Sequence, residues 1–391
     1  MTKAMPVPGS LLYLLNVSNA SQLSADSGWI YADILTSALT DAGQNITLVC
    51  PLPVTDPRVR HMVPPPAATS KYQVRITHDV GYLAQLLRAT RPDTIVVNQI
   101  EAAPALRAAM LDAACTAQVV GYCHYLPFSL DEHGHLVKDP AFSDRGLELP
   151  VRLAFASGLA ACDRILVHSR TAHDWVSAFC DTYRLDAEDR IRVVPPPRDP
   201  RLARSNAPLP EDPTGLYNHR LYRHYGTSQF IDLAQKVTAN GMLLRVMDLF
   251  GRRDPSRIAL DPSPEHALTR LGATPGVTVS TDGGDRDRYR TFLADTAVGF
   301  APFRPGCTWS MSVIDLHAMG VPVVAPRMSW MAEAVHEDLL FDPDDLDGAV
   351  KIVDRLVNDH PFWLAHSQQA HDSTLHLTPD QVAADYLEAI Q

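Results

Sequence analysis

Short apolar runs alternate along the chain with stretches whose apolar residues recur at helical spacing. Leu11 to Val17 is apolar, a Ser/Asn/Gly-rich loop then reaches Gly28, and Trp29, Ile30, Ile34, Leu35, Ala38 and Leu39 follow at helical spacing before Ile46 to Cys50. That pattern reads as strand, loop, helix, strand. The same alternation predicts helices over 80–89, 104–114, 149–161 and 171–179, with strands over 94–98, 118–123, 164–168 and 192–195. It stops where Pro195, Pro196, Pro197, Pro200, Pro208, Pro210 and Pro213 crowd together with few apolar residues. Beyond them it restarts, with strands over 215–218, 243–248, 277–280, 297–301 and 322–325 and helices over 228–240, 264–271, 286–293, 311–319 and 345–359.

Alternating short strands and amphipathic helices predict the α/β class, with each parallel sheet covered on both faces. A chain of 391 residues exceeds the size of a single core. The expectation is two doubly wound, Rossmann-like parallel-sheet domains facing a cleft: 1–200, a linker at 201–213, and 214–391, the last helix packing back on the N-terminal domain. Ligands of such domains bind outside the carboxyl ends of the strands.

Composition narrows the function classes. A formal charge of −11 argues against general nucleic-acid binding, which draws on neutralisation of phosphates by Lys and Arg. The one basic concentration, Arg184, Arg190, Arg192, Arg198, Arg201 and Arg204, reads as solvated surface or an interdomain wall. Six cysteines without a CxxC pair read as reduced thiols in a cytoplasmic protein. Met1 to Leu15 is too short and too rich in Pro and Gly for a membrane span or a signal sequence.

The candidate chemistry lies at Gly299-Phe-Ala-Pro-Phe-Arg-Pro-Gly-Cys307-Thr-Trp-Ser-Met-Ser-Val-Ile-Asp315-Leu-His-Ala-Met-Gly320-Val-Pro-Val-Val-Ala-Pro326, a strand, loop, helix, Gly turn and strand. The N–H groups that open such a helix, around Ser310, Met311 and Ser312, suit a diphosphate. Asp315 can accept hydrogen bonds from ribose hydroxyls. The segment resembles the donor-binding signature of glycosyltransferase family 4, a family of GT-B fold: Glu, seven residues, Glu, then Ala-Met-x-x-Gly-x-Pro-Val-Val. Asp315 stands at the second Glu, and Gly320, Pro322, Val323 and Val324 stand in register. Trp330-Met-Ala-Glu333 and Leu339-Leu-Phe-Asp342 look like the family's next elements.

Two departures matter. The first Glu, which the resemblance makes a contact of the donor sugar, falls on Cys307, a poor acceptor; Arg304 or Thr308 is a candidate replacement. At the exit of the strand over 215–218, the family reads Gly-Arg and then a Lys before a Gly, two cations that neutralise the diphosphate. Here Arg220 and Gly226 fit, Tyr225 replaces the Lys, and Arg223 is one candidate for the second charge. The strings Asn218-His219-Arg220 and Met311-Ser312-Val313 also resemble the tRNA-queuosine mannosyltransferase branch, a hint toward a nucleoside-like acceptor.

In the N-terminal half the loop 16–28, with Ser27-Gly28 left of the usual Gly-Gly, resembles the loop that approaches the donor phosphates. Val120-Gly-Tyr-Cys-His124-Tyr-Leu-Pro ends a buried strand on His124, where the family places a sugar or acceptor contact. Asn98, Gln99 and Glu101 are candidates for the acceptor side, and His168-Ser169 ends a further strand. His133 and His135, and the group His360, His366, His371 and His376, invite a metal reading, but the second group lacks carboxylates paired at i, i+4 on one face and reads as solvent-exposed helix, so no catalytic metal is expected.

The resemblance implies transfer of a sugar from a nucleotide-diphosphate sugar to a small-molecule, nucleoside-like or glycan acceptor, with retention and without a further cofactor. Arg220 and His124 are the catalytic candidates. Two alternatives remain: a nucleotide-sugar 2-epimerase, for which no convincing carboxylate pair is present, and a non-catalytic binding module, for which Cys307 and Tyr225 speak.

Overall fold

The computed structural model describes residues 9–15, 26–65, 77–139, 142, 146–202, 209, 212–248, 258, 261–281 and 283–391. Most of the loop 16–28, the start of the chain and part of the proline-rich segment lie outside these residues. The chain divides into two compact units, Met1–Pro197 with Pro379–Gln391, and Arg198–Thr378.

In the first unit seven strands form one sheet in the order β3-β2-β1-β4-β5-β8-β9. They are β1 (Ser10–Leu14), β2 (Asn45–Val49), β3 (Arg60–Met62), β4 (Thr94–Val97), β5 (Gln118–Tyr122), β8 (Arg164–Val167) and β9 (Ile191–Val193). Every pairing is parallel. Helices Ser27–Asp41, Val80–Thr90, Ala103–Ala113, Glu148–Ala161 and Arg170–Tyr183 follow or separate them. Their starts are readable chemically: Asp26, Asp79 and Ser169 each accept a backbone N–H of the helix they precede. Strands β4 and β5 are buried along most of their length, which is why they read as continuous apolar runs rather than alternating ones.

A small antiparallel hairpin, β6 (Phe128–Leu130) with β7 (Leu136–Lys138), follows β5 and was not foreseen. Its strands have three residues each, too short for a period-2 signal. The terminal helix Pro379–Ala389 belongs to this first unit and packs against the Ser27–Asp41 helix.

The second unit carries a six-stranded sheet in the order β12-β11-β10-β13-β14-β15. Its strands are β10 (Thr214–Tyr217), β11 (Leu243–Met247), β12 (Val277–Ser280), β13 (Val298–Phe300), β14 (Val323–Pro326) and β15 (Leu340–Phe341), again all parallel. In both sheets the chain first builds outward in one direction, then crosses over to build in the other. The switch lies between β1 and β4 in one and between β10 and β13 in the other, and a ligand crevice forms at such a point.

Candidate functional site

The switch point of the second unit gathers most of the residues singled out in the sequence. From the end of β10 come Asn218, His219 and Arg220; from the end of β13 comes the loop 301–309; the Met311–Ala318 helix follows. Ser310 caps this helix, its hydroxyl accepting from the Val313 N–H at 3.4 Å. The N–H groups of Met311 and Ser312 open the helix, where no carbonyl of the same helix can reach them. The Ser312 side chain does not point its hydroxyl at a free space: it donates to the Asn218 carbonyl at 2.9 Å, while Asn218 Nδ2 donates to the Ser312 carbonyl at 3.3 Å. This reciprocal pair fixes the helix start against the exit of β10.

Gly226 makes the next join. It sits at φ +66°, and a Cβ there would lie 2.2 Å from the Phe303 carbonyl oxygen, so only glycine lets the two segments touch. The contact brings Tyr225 beside Arg304. The guanidinium lies 4.8 Å from the Tyr225 ring centroid and donates to its hydroxyl at 3.3 Å. Arg220 is half-buried, and Arg223 is exposed at the start of a short turn, with its N–H donating to Ser263 Oγ. His219 is buried, and burial pushes its pKa down to about 3, so the ring is neutral.

Cys307 is buried, and its thiol donates to the Trp309 carbonyl at 3.3 Å. Burial raises its pKa, which leaves a packed thiol inside the turn rather than a sugar contact.

Asp315 differs most from the expectation of an open ribose acceptor. It is 1% exposed, and Oδ2 accepts from Arg286 Nη2 at 3.3 Å. The same Arg286 nitrogen donates to Asp199 Oδ2 at 3.0 Å, and Arg290 donates to that oxygen at 2.5 Å from Nη2 and 3.2 Å from Nε. Arg286 also stacks over Tyr289, 4.4 Å from the ring centroid, and Asn218 Nδ2 donates to the Tyr289 hydroxyl at 3.0 Å. Burial raises the Asp315 pKa despite Arg286, whereas for Asp199 the bonds from Arg290 and Arg201 outweigh burial and lower it. Asp199, placed at the end of the first domain by the proline pattern, thus lies in the second unit at the centre of a buried ion network. Arg286, Arg290, Tyr289 and Asp199 had no place in the sequence reading. Arg286 to Arg290 reads Arg-Asp-Arg-Tyr-Arg, the composition of a solvated helix face. The one signal was Tyr289 followed four residues later by Leu293, both buried.

In the first unit, Gly28 opens the Ser27–Asp41 helix and His124 follows β5, and the two meet: a Cβ on Gly28 would sit 3.4 Å from His124 Nε2. Behind them Tyr31 stacks on Tyr122 at 4.7 Å, and the Tyr122 hydroxyl bonds the His168 ring, 2.6 Å from Nε2. Burial holds His168 neutral, well below the ordinary imidazole range. The ring of His124 lies 5.8 Å from that of His168. At the end of β4, Asn98 and Glu101 are buried and Gln99 is half-buried. Gly158 packs directly on this segment, since a Cβ there would lie 2.3 Å from the Ile100 carbonyl oxygen. The solvent-facing reading of the C-terminal histidines fails at His366, which is 5% exposed; His360 and His376 do face solvent.

Residues 29–202 match the sequence profile described as Glycosyltransferase Family 4, a span that covers most of the first unit. No curated protein sequence matches the chain. Solved structures that resemble it along its length include sucrose-phosphate synthase from Thermosynechococcus elongatus, with TM-score 0.72, 15% identity and 97% of this chain and 98% of that chain covered. A glycosyltransferase from Rickettsia africae ESF-5 gives 0.67 at 11% identity over 98% of each chain. Anabaena HepE in complex with UDP-glucose gives 0.68 at 13% identity, covering 97% of this chain and 99% of that chain. The two parallel sheets and their switch points give the chain the GT-B fold of these solved glycosyltransferases, and within it residues 29–202 are similar to a glycosyltransferase family 4 domain.

Proposed function

We propose that the protein transfers a glycosyl group from a nucleotide-diphosphate sugar to an acceptor hydroxyl or amine, with retention and without a catalytic metal. The observation that carries this reading is the cationic switch point of the second unit. Arg220 follows β10, Arg304 in the loop after β13 has its guanidinium seated on Tyr225, and the N–H groups of Met311 and Ser312 open the next helix, so all three belong to the segments that leave the carboxyl ends of β10 and β13. Fixed donors and guanidinium groups of this kind stabilise a diphosphate as it leaves and gains charge. HepE, of the same fold, is solved with UDP-glucose, which supports a uridine diphosphate sugar as the first donor to try.

In this reading the diphosphate oxygen takes the acceptor proton, and Arg220 is the residue that matters most for charge. On the first unit, His124, held beside Gly28, is assigned to the sugar or acceptor, and Asn98, Gln99 and Glu101 to the acceptor side. The buried Cys307 removes the acid that would read donor-sugar hydroxyls, which favours a donor other than a common hexose.

A non-catalytic nucleotide-sugar-binding role is the second reading, favoured by the engagement of Asp315 with Arg286. A thermal-shift screen over nucleoside diphosphates and nucleotide sugars, followed by a transfer assay with the stabilising ones, separates the two. Stabilisation without transfer or donor hydrolysis selects the binding role. If no diphosphate stabilises the protein, both readings fail.

A further inference from the structure

We propose that His336, Asp338 and His366 form a Zn²⁺ site that clamps the segment before β15 to the His360–Asp372 helix, apart from the diphosphate site. One nitrogen or oxygen of each side chain lies within 4.8 Å of the others. Asp338 Oδ2 stands 3.6 Å from His366 Nε2 and 3.6 Å from His336 Nδ1. These separations are too long for hydrogen bonds. They are close to what an ion sets: with bonds of about 2.0–2.1 Å in tetrahedral geometry, neighbouring ligand atoms lie roughly 3.3–3.4 Å apart. The two separations from Asp338 close with a shift of a few tenths of an ångström, and the two imidazole nitrogens approach each other from within 4.8 Å.

The three side chains differ in a way that suits a metal. His366 is 5% exposed and pinned by Phe362, whose ring meets it edge-on at 4.3 Å, so its Nε2 has a fixed direction. His336 and Asp338 face solvent, which gives the ion a way in and leaves a fourth position for water. His336 Nδ1 already accepts the Asp338 N–H at 3.2 Å, a long contact that a metal bond would replace. Two imidazoles and one carboxylate select Zn²⁺ over Mg²⁺ or Ca²⁺, which prefer all-oxygen shells. The clamp joins two elements far apart in sequence. The segment it holds follows the Met331–Ala334 helix, whose preceding residue, Trp330, donates its N–H to the Cys307 carbonyl at 3.1 Å.

The test uses the full chain, stripped of metal and titrated with Zn²⁺ by calorimetry and with Co²⁺ by visible absorption. The expected result is one tight equivalent per chain, the intense absorption of a four-coordinate cobalt ion, and a Zn²⁺-dependent rise in Tm. His336→Ala, at an exposed position, and Asp338→Asn should keep the wild-type circular dichroism but bind that equivalent at least roughly 10- to 100-fold more weakly. His366→Ala should do the same if it folds; the two exposed variants carry the test if it does not. Equal Zn²⁺ affinity in wild type and His336→Ala, or a wild-type Tm indifferent to Zn²⁺, overturns the proposal. Neither outcome touches the diphosphate reading, which rests on other residues.

Discussion

Arg304 covers the face of Tyr225 and bonds its hydroxyl, so a guanidinium from the loop after β13 stands over the residue at which the family signature has lysine. Arg304→Ala is therefore expected to weaken binding of nucleoside diphosphates by about 10-fold or more, the scale of a lost charge-assisted hydrogen bond. Arg304→Lys should recover part of it. Calorimetric titration with UDP and with uridine distinguishes a diphosphate contact from a general loss, since uridine binding should be unchanged.

Arg220→Ala is expected to remove the thermal response to diphosphates while leaving the ligand-free Tm nearly unchanged. The side chain is half-buried at the end of β10 rather than in the core. A large fall in the ligand-free Tm would assign Arg220 to the fold instead.

Asp199→Ala should cost about 1–3 kcal/mol, because it leaves Arg286 with Asp315 and Arg290 with Asp287 as their remaining carboxylate partners. Asp199→Asn keeps the shape and loses the charge, and should fall between the two. Urea unfolding of both variants measures this. An Asp199→Ala loss under about 1 kcal/mol would mean that the network is solvated in solution.

Gly226→Ala should destabilise the second unit by at least about 1–3 kcal/mol, the cost of a left-handed non-glycine residue, with the Phe303 clash in addition. It should also weaken diphosphate binding, because the same contact sets Tyr225 beside Arg304. Loss of stability with unchanged affinity would separate the two roles.

Three buried histidines apart from His366 set a pH dependence. Burial lowers His219 to about 3, His317 to about 4, and His168 well below its ordinary value. In the unfolded chain each takes a proton near pH 6.5. Below that pH the unfolded state binds more protons than the folded one, so stability is full above about pH 6.5 and falls as the solution is acidified. The slope approaches about 1.4 kcal/mol per pH unit for each histidine. Urea midpoints between pH 7.5 and 4.5 check the sign, and His317→Gln, if folded, should flatten the curve.

How far the sequence disclosed this molecule depended on the range of the interactions. The Met311–Ala318 helix was legible because its cap, Ser310, and its apolar run are local. So was β13, whose Val-Gly-Phe is buried throughout, whereas β10, Thr-Gly-Leu-Tyr, is legible from its place in the alternation. The Arg286–Asp199 bond spans 87 positions, and no local pattern encodes it. Asp315 was found by resemblance, but its partner was not, so a residue expected to meet ribose proved to be held by a guanidinium. His366 had a signal that was missed: Trp363, His366, Ser367 and Ala370 form a buried stripe at three- and four-residue spacing.

The placement of the Pro379–Ala389 helix bears on how the protein is made. Val382 and Tyr386 are completely buried in the first unit, yet they are synthesised after the whole of the second. On a ribosome the second unit can therefore close while the first still exposes the surface of the Ser27–Asp41 helix that its last helix will cover. The half of the protein that is begun first is completed last, and a chain cut short near its end would present a folded second unit beside an unfinished first one.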